Sequence, residues 1–383
     1  MKRKILSLAL CYFIVFTSIV PLSELPDLKA MPMDGAGHIS LQISEDEIEK
    51  RADEIISGMT LKQKVSQMLL VEVNSGYNAA KQKKNQYGGI VLFADSFQNT
   101  TDEKLKKRVG KLQKASKMNM LIAVDEEGGM VTRVSRYKKF LCSKFAAPRT
   151  LYQKGGYEKV KSDADAKAIF LKNLGINTNL APVADVAYNK NNFIYQRSFS
   201  TSAKKTAKFI QITVRQSNQK GLVSTLKHFP GYGNNGDTHT NIISDKRALS
   251  TFEKRDLKPF RAGIKENVPM IMISHNIVQA FDKKNPATIS KKVHKYLRQK
   301  MKYEGVIVTD SMGMAGVNQF VGSTKKAVVR AVLAGNDMIC TPASATGKKA
   351  LINAVKNGRI SETQIDTSVK RIIKMKLRLG IIE

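Results

Sequence analysis

Eight short apolar runs rich in β-branched residues recur along the chain, at 68–73, 89–93, 120–124, 178–183, 222–227, 270–274, 305–309 and 337–340. Most of the intervals between them are long enough for a crossover helix. Segments 203–219, 251–266, 293–301 and 325–334 repeat apolar residues every three to four positions. Strands that read as continuous hydrophobic runs belong in a sheet buried on both faces, and alternation with helices makes that sheet parallel. Eight such units predict an α/β chain folded as a (β/α)8 barrel. Periodicity does not show closure, so a doubly wound open sheet is the alternative, and that fold would want a phosphate or dinucleotide fingerprint. Gly231, Gly233 and Gly236 fit Gly-x-Gly-x-x-Gly. Their loop, however, runs on into Asp237-Thr238-His239 instead of opening a helix, and it lacks the Lys-Ser/Thr of a P-loop.

With 383 residues, 42% of them hydrophobic, the chain can bury a large core. The first thirty residues stand apart. Lys2, Arg3 and Lys4 precede an apolar run at 5–20, short for a membrane span and suited to a signal peptide, with an uncleaved anchor as the alternative. Residues 31–43 then read as a linker, residues 44–383 as the barrel domain, and the protein as exported, either secreted or held at the outer face of the membrane. Cys142 and Cys340 are the only cysteines beyond the leader, too few for a disulfide-stapled scaffold, and their pairing stays open.

Lys and Arg number 64 against 32 Asp and Glu, a net charge of +32. Such a surface favours adsorption to polyanions, among them anionic wall polymers and anionic membrane surfaces. Specific nucleic-acid binding is not expected: zinc-finger spacing and RNP-like aromatic clusters are missing, Trp is absent and aromatics make up 7%. The five His residues show no ligand spacing such as His-Glu-x-x-His, so no metal and no cofactor are expected.

In a parallel barrel, reactive groups belong just past the C-terminal ends of the strands. Polar residues collect there: Asp125-Glu126-Glu127 after the third run, Asp185 after the fourth, Lys227-His228 after the fifth, His275 after the sixth and Asp310 after the seventh. Asp310 directly follows Gly305-Val306-Ile307-Val308-Thr309, where a carboxylate is costly without a task or a partner. Its structural alternative is a helix N-cap. Asp237 and His239, two apart in a Gly- and Asn-rich loop, can place a carboxylate against an imidazole that titrates near neutrality, or form an ordinary Asx-turn. Clustered acids beside Gly128-Gly129 can accept hydrogen bonds from sugar hydroxyls with Arg133 as a brace, or make a solvated acidic turn.

Taken together, Lys227-His228-Phe229-Pro230-Gly231, Asp237-Thr238-His239 and Val308-Thr309-Asp310-Ser311-Met312 resemble glycoside hydrolase family 3, and within it the single-domain bacterial β-N-acetylglucosaminidases. The resemblance runs from Met59-Thr60-Leu61-Lys62-Gln63-Lys64 to Val369-Lys370-Arg371-Ile372. It implies a TIM-type barrel as a single catalytic domain, without a second α/β sandwich domain. It also implies an exo-acting, retaining β-N-acetylhexosaminidase that removes terminal β-linked GlcNAc from cell-wall or related glycans. Asp310 would be the nucleophile, His239 the general acid/base and Asp237 its partner. Asp125, Arg133, Arg197, Lys227 and His228 would bind the sugar, with Asp185 and His275 as further pocket residues. The chain departs from the family's pattern at Tyr232, where His is frequent, and at Gln196, where an acid is frequent. Alternatives are a phosphorylase or β-glucosidase of the same family, or a non-catalytic basic barrel that binds wall glycans.

Overall fold

A computed structural model describes residues 44–236, 238 and 241–383. The segments read above as leader and linker, and the pair Asp237 and His239, lie outside the described residues. Eight parallel strands form one sheet: β1 (Leu69–Val73), β2 (Gly89–Leu92), β3 (Leu121–Val124), β4 (Thr178–Asn179), β5 (Val223–Phe229), β6 (Met270–Ile273), β7 (Val306–Thr309) and β8 (Ile339–Thr341). From β1 to β7 each pairs with its neighbour in sequence, and β8 pairs with β1. A parallel bridge between Val308 and Met338 joins the two ends, with the Thr309 N–H donating to the Met338 carbonyl at 3.1 Å. This ring is the predicted barrel, and the open doubly wound sheet is set aside.

All eight runs become strands because their residues are buried toward both the interior and the helices, as in β2, β3, β6 and β7, where every position is buried. The fourth departs most from expectation. Its ladder stops at Asn179 and resumes only as a bridge between Val183 and Lys227. Pro182, which has no N–H to donate, sits in the gap.

Helices cover the outside. Helix Ala203–Gln219 forms over the segment predicted for it, and Thr324–Ala334 starts one residue earlier than predicted. Segment 251–266 forms a helix with a wider π-type stretch at Phe252–Asp256, and 293–301 has another at Tyr296–Lys300. Helix Leu61–Gln67 opens on a capping box, in which Thr60 and Gln63 each accept from the other's backbone N–H. Among the described residues no helix is long and apolar enough to cross a membrane. Cys340 is a free, buried thiol, so it does not pair with Cys142.

Candidate active site

The site grows from the C-terminal ends of β3, β4, β5 and β7. Past β3, side chains alternate: Asp125 and Glu127 turn to one side and Glu126 to the other. Glu126 is fully buried and shapes its own loop, accepting from the backbone N–H groups of Arg133 (3.0 Å) and Val134 (2.8 Å) and from the Ser135 hydroxyl (2.5 Å). Gly128 turns the chain at φ +98°, where a Cβ would stand 2.3 Å from the Ala146 carbonyl oxygen. Asp125 and Glu127 both meet Lys227, whose Nζ lies 2.7 Å from Asp125 Oδ1 and 2.7 Å from Glu127 Oε1.

Lys227 exposes only 3% of its side chain, so burial works against its charge. The two carboxylates prevail and its pKa is raised. Glu127 is the most tightly held acid of the site. Burial would raise its pKa, but Lys227 and the two-pronged Arg197 contact, Nε to Oε2 at 3.0 Å and Nη2 to Oε1 at 2.7 Å, keep it well below the usual carboxylate range. Arg133 reaches Asp125 only at 3.8 Å, a looser brace than the sequence suggests.

His228 stands on the far side of this cluster. Its Nε2 is 3.3 Å from Arg197 Nη2, and its Nδ1 is 2.7 Å from Asp185 Oδ2. Asp185 is buried and also accepts from the backbone N–H groups of His228 (3.1 Å) and Tyr232 (2.7 Å), so it fixes both the imidazole and the turn after β5. Tyr232, the departure noted above, is buried edge-on to His228 with 5.0 Å between ring centres. Its hydroxyl pairs with Thr238 at 2.6 Å. Burial, reinforced by the charge of Asp310, raises its phenol pKa well above the ordinary value.

Asp310 ends β7. The nearest helix downstream starts at Ala315, with Met314 as its N-cap, so the alternative reading of Asp310 as a helix cap is set aside. Its Oδ1 accepts from the Ser311 N–H at 2.7 Å. Burial pushes its pKa up, but His228, His275, that N–H and Lys227 together hold it below the ordinary Asp value. His275 sits beneath, with Nδ1 2.6 Å from the Thr288 hydroxyl and Nε2 2.9 Å from the Ser311 carbonyl.

The segment that carries Asp237 and His239 is anchored on both sides. Arg247 donates to Asp245 (Nε to Oδ2, 2.9 Å), to Asp256 (2.9 Å) and to the Gly231 carbonyl (2.9 Å). Asn235 donates to Asp245 at 2.7 Å. Ser244–Asp245 pairs with Ile277–Val278, tying the segment to the loop after β6.

Residues 60–375 match the glycosyl hydrolase family 3 N-terminal domain, more than three quarters of the chain. The chain belongs to glycosyl hydrolase family 3. It is 31% identical over 322 residues to beta-hexosaminidase A of Pseudoalteromonas piscicida, an alignment that takes in 76% of this chain but only 53%, about half, of that relative. Among solved structures, a family 3 beta-N-acetylglucosaminidase from Paenibacillus sp. str. FPU-7 superposes with a TM-score of 0.80 at 32% identity, covering 85% of this chain and 63% of the other. A family 3 glycosyl hydrolase from Mycobacterium smegmatis superposes with a TM-score of 0.75 at 26% identity, over 84% of this chain and 98% of that one.

In this family 3 barrel the described residues proposed from sequence do converge: Asp125, Arg133, Arg197, Lys227, His228, Asp185 and Asp310 form one connected set, with His275 below it. Sequence reasoning missed Glu127, which joins Lys227 to Arg197. The alternation that puts Asp125 and Glu127 on one side was the available signal. It also missed Glu72 on β1, for which a lone acid inside an apolar run was the signal.

Proposed function

We propose that the chain is an exo-acting, retaining β-N-acetylhexosaminidase that removes terminal β-linked GlcNAc from wall-type glycans. The observation that carries this reading is Asp310: a carboxylate at a barrel strand end, kept ionised below the ordinary range, beside a buried Lys–carboxylate–Arg cluster. The names of the two relatives at 31% and 32% identity support the substrate class.

In the reaction so proposed, an Asp310 oxygen attacks the anomeric carbon while His239 protonates the departing oxygen, leaving a glycosyl ester. Water, deprotonated by His239, then displaces Asp310 from the opposite face, so configuration is retained. The assignment of His239, with Asp237 to orient it, rests on the sequence. An imidazole with an ordinary pKa near ~6.5 can serve as acid and then base at neutral pH. Lys227, Arg197, His228, Asp125 and Arg133 offer fixed donors and acceptors to sugar hydroxyls, and the Glu127 and Asp185 pairings hold those donors in place.

The deciding experiment follows aryl alcohol release from an aryl β-N-acetylglucosaminide by the protein and by Asp310→Asn, with and without phosphate. Turnover by the parent, lost in the variant and yielding free GlcNAc, supports the reading. A sugar phosphate as product makes the chain a phosphorylase, and full activity in the variant removes Asp310 from the chemistry. Aryl glucoside as the better substrate moves the chain to β-glucosidase.

A further inference from the structure

Glu72 is the one polar residue of β1, Leu69–Val73. It faces the barrel interior, where its Oε1 accepts from the Ser311 hydroxyl and from the Cys340 thiol at 3.6 Å. The charges around it are the wrong sign for an ion pair. Burial raises its pKa and its two donors lower it, while the negative charges of Asp310 and Asp125 raise it further. A carboxyl placed so close to another acid, inside an otherwise apolar strand, is costly and calls for a task.

The stronger of its two contacts leads to Asp310. The Ser311 hydroxyl is held by Glu72, and that hydroxyl oxygen also accepts from the Gly313 N–H at 3.1 Å. The Ser311 N–H donates to Asp310 Oδ1 at 2.7 Å, and the Ser311 carbonyl faces His275 Nε2 at 2.9 Å. One residue is therefore held at its hydroxyl, its N–H and its carbonyl, and its backbone N–H sets where the Asp310 carboxylate points.

We infer that Glu72 is a positioning residue for the reaction at Asp310, acting through Ser311 from two strands away around the barrel. The inference rests on reading Asp310 as the nucleophile. In-line attack needs the reacting atoms in near-attack geometry, and a misplacement of about 1 Å can cost on the order of 100-fold in rate. The geometry lets Glu72 hold Ser311 by hydrogen bonding, while its raised pKa disfavours the charged form beside the nucleophile.

The test compares steady-state kinetics of the full chain on an aryl β-N-acetylglucosaminide for Glu72→Ala, Glu72→Gln, Ser311→Ala, the Glu72→Ala/Ser311→Ala pair and Asp310→Asn. Glu72→Ala is expected to lower kcat on the order of 10- to 100-fold while KM moves by less than about threefold. Glu72→Gln, which keeps an acceptor for Ser311, should recover most of that loss. The double variant should be no slower than the slower single one, because both act through one contact. A Glu72→Ala kcat within about twofold of the parent overturns the inference, as do losses that multiply in the double variant. Should Glu72→Ala fail to fold, Ser311→Ala decides, and a kcat within about twofold of the parent overturns the inference. Asp310→Asn separates the two levels. If it is inactive while Glu72→Ala is unimpaired, only the Glu72 role falls; if it is active, the nucleophile reading falls and the Glu72 role with it.

Discussion

The two ends of the barrel both bury charge, but they handle it differently. At the N-terminal end, Asp337 is closed on every side: its carboxylate accepts from the Ile307 N–H at 2.8 Å and from Arg371 at 3.2 Å, and it also pairs with Arg298. Arg298 in turn caps the Tyr303 and Gly305 carbonyls at 2.7 Å each. Nearby, Lys376 is completely buried with two neutral acceptors, Gln67 Oε1 and the Asn119 carbonyl, each at 2.9 Å. At the C-terminal end, Lys227, Arg197 and His228 are braced by Glu127 and Asp185, while Asp125 and Asp310 stay partly exposed. Charge at the first end is shut in against the protein's own groups, whereas at the second it is half committed and half available to a ligand.

The sharpest way to break this contrast is Asp310→Asn. Turnover should fall on the order of 10⁴-fold or more, with only a small drop in melting temperature as the interactions that hold the Asp310 pKa down are lost. A variant that melts early and keeps its rate would make Asp310 a structural acid.

Next comes Lys227→Met, which leaves Asp125 and Glu127 facing each other without their shared cation. Activity should drop at least about 100-fold and stability by about 3 kcal/mol, read by kinetics and denaturant titration. This variant marks the overlap of the two roles.

Asp337→Asn should cost a similar ~3 kcal/mol, since Arg298 and Arg371 lose their counter-charge, yet kcat/KM below the melting range should change by less than about twofold. A large kinetic effect would mean that the ends are coupled.

Lys376 gives the smallest and most specific effect. Burial lowers its pKa to about 7. Its unfolded value is near ~10.4, so between these values the unfolded chain binds more protons and stability rises with pH. The penalty of burying the charge is full below the folded pKa and fades as pH climbs toward the unfolded one. Denaturant midpoints at pH 7 and pH 9 should show a gain on the order of 2 kcal/mol in the parent beyond that in Lys376→Met. Equal gains in both would mean that Lys376 stays charged.

How legible each end was follows from the same contrast. Asp310, Lys227-His228 and Asp185 could be read because each stands alone where an apolar run stops, and a polar residue at such a point needs a reason. Glu127 could be separated from Glu126 only by carrying the alternation of β3 past the strand's end, which sets it on the side of Asp125. Asp337 and Lys376 were illegible as charge sites, because an Asp before a strand and a Lys on a helix look like ordinary surface residues.

What the chain alone determined is the repeat. Eight runs apolar on both faces, spaced by amphipathic helices, leave a buried parallel sheet as the way to hide that surface, and the strand-end rule then locates the chemistry. Closure, by contrast, depended on the Val308–Met338 bridge, a contact between the last two strands that no local pattern encodes. Tertiary structure alone also decided that Glu127 would join Lys227 to Arg197 and that Glu72 would reach Ser311 past β8, 239 residues away in sequence. The reason is physical: burial and periodicity are properties of a segment, whereas an ion pair or hydrogen bond exists only once two distant segments are fixed within about 3 Å.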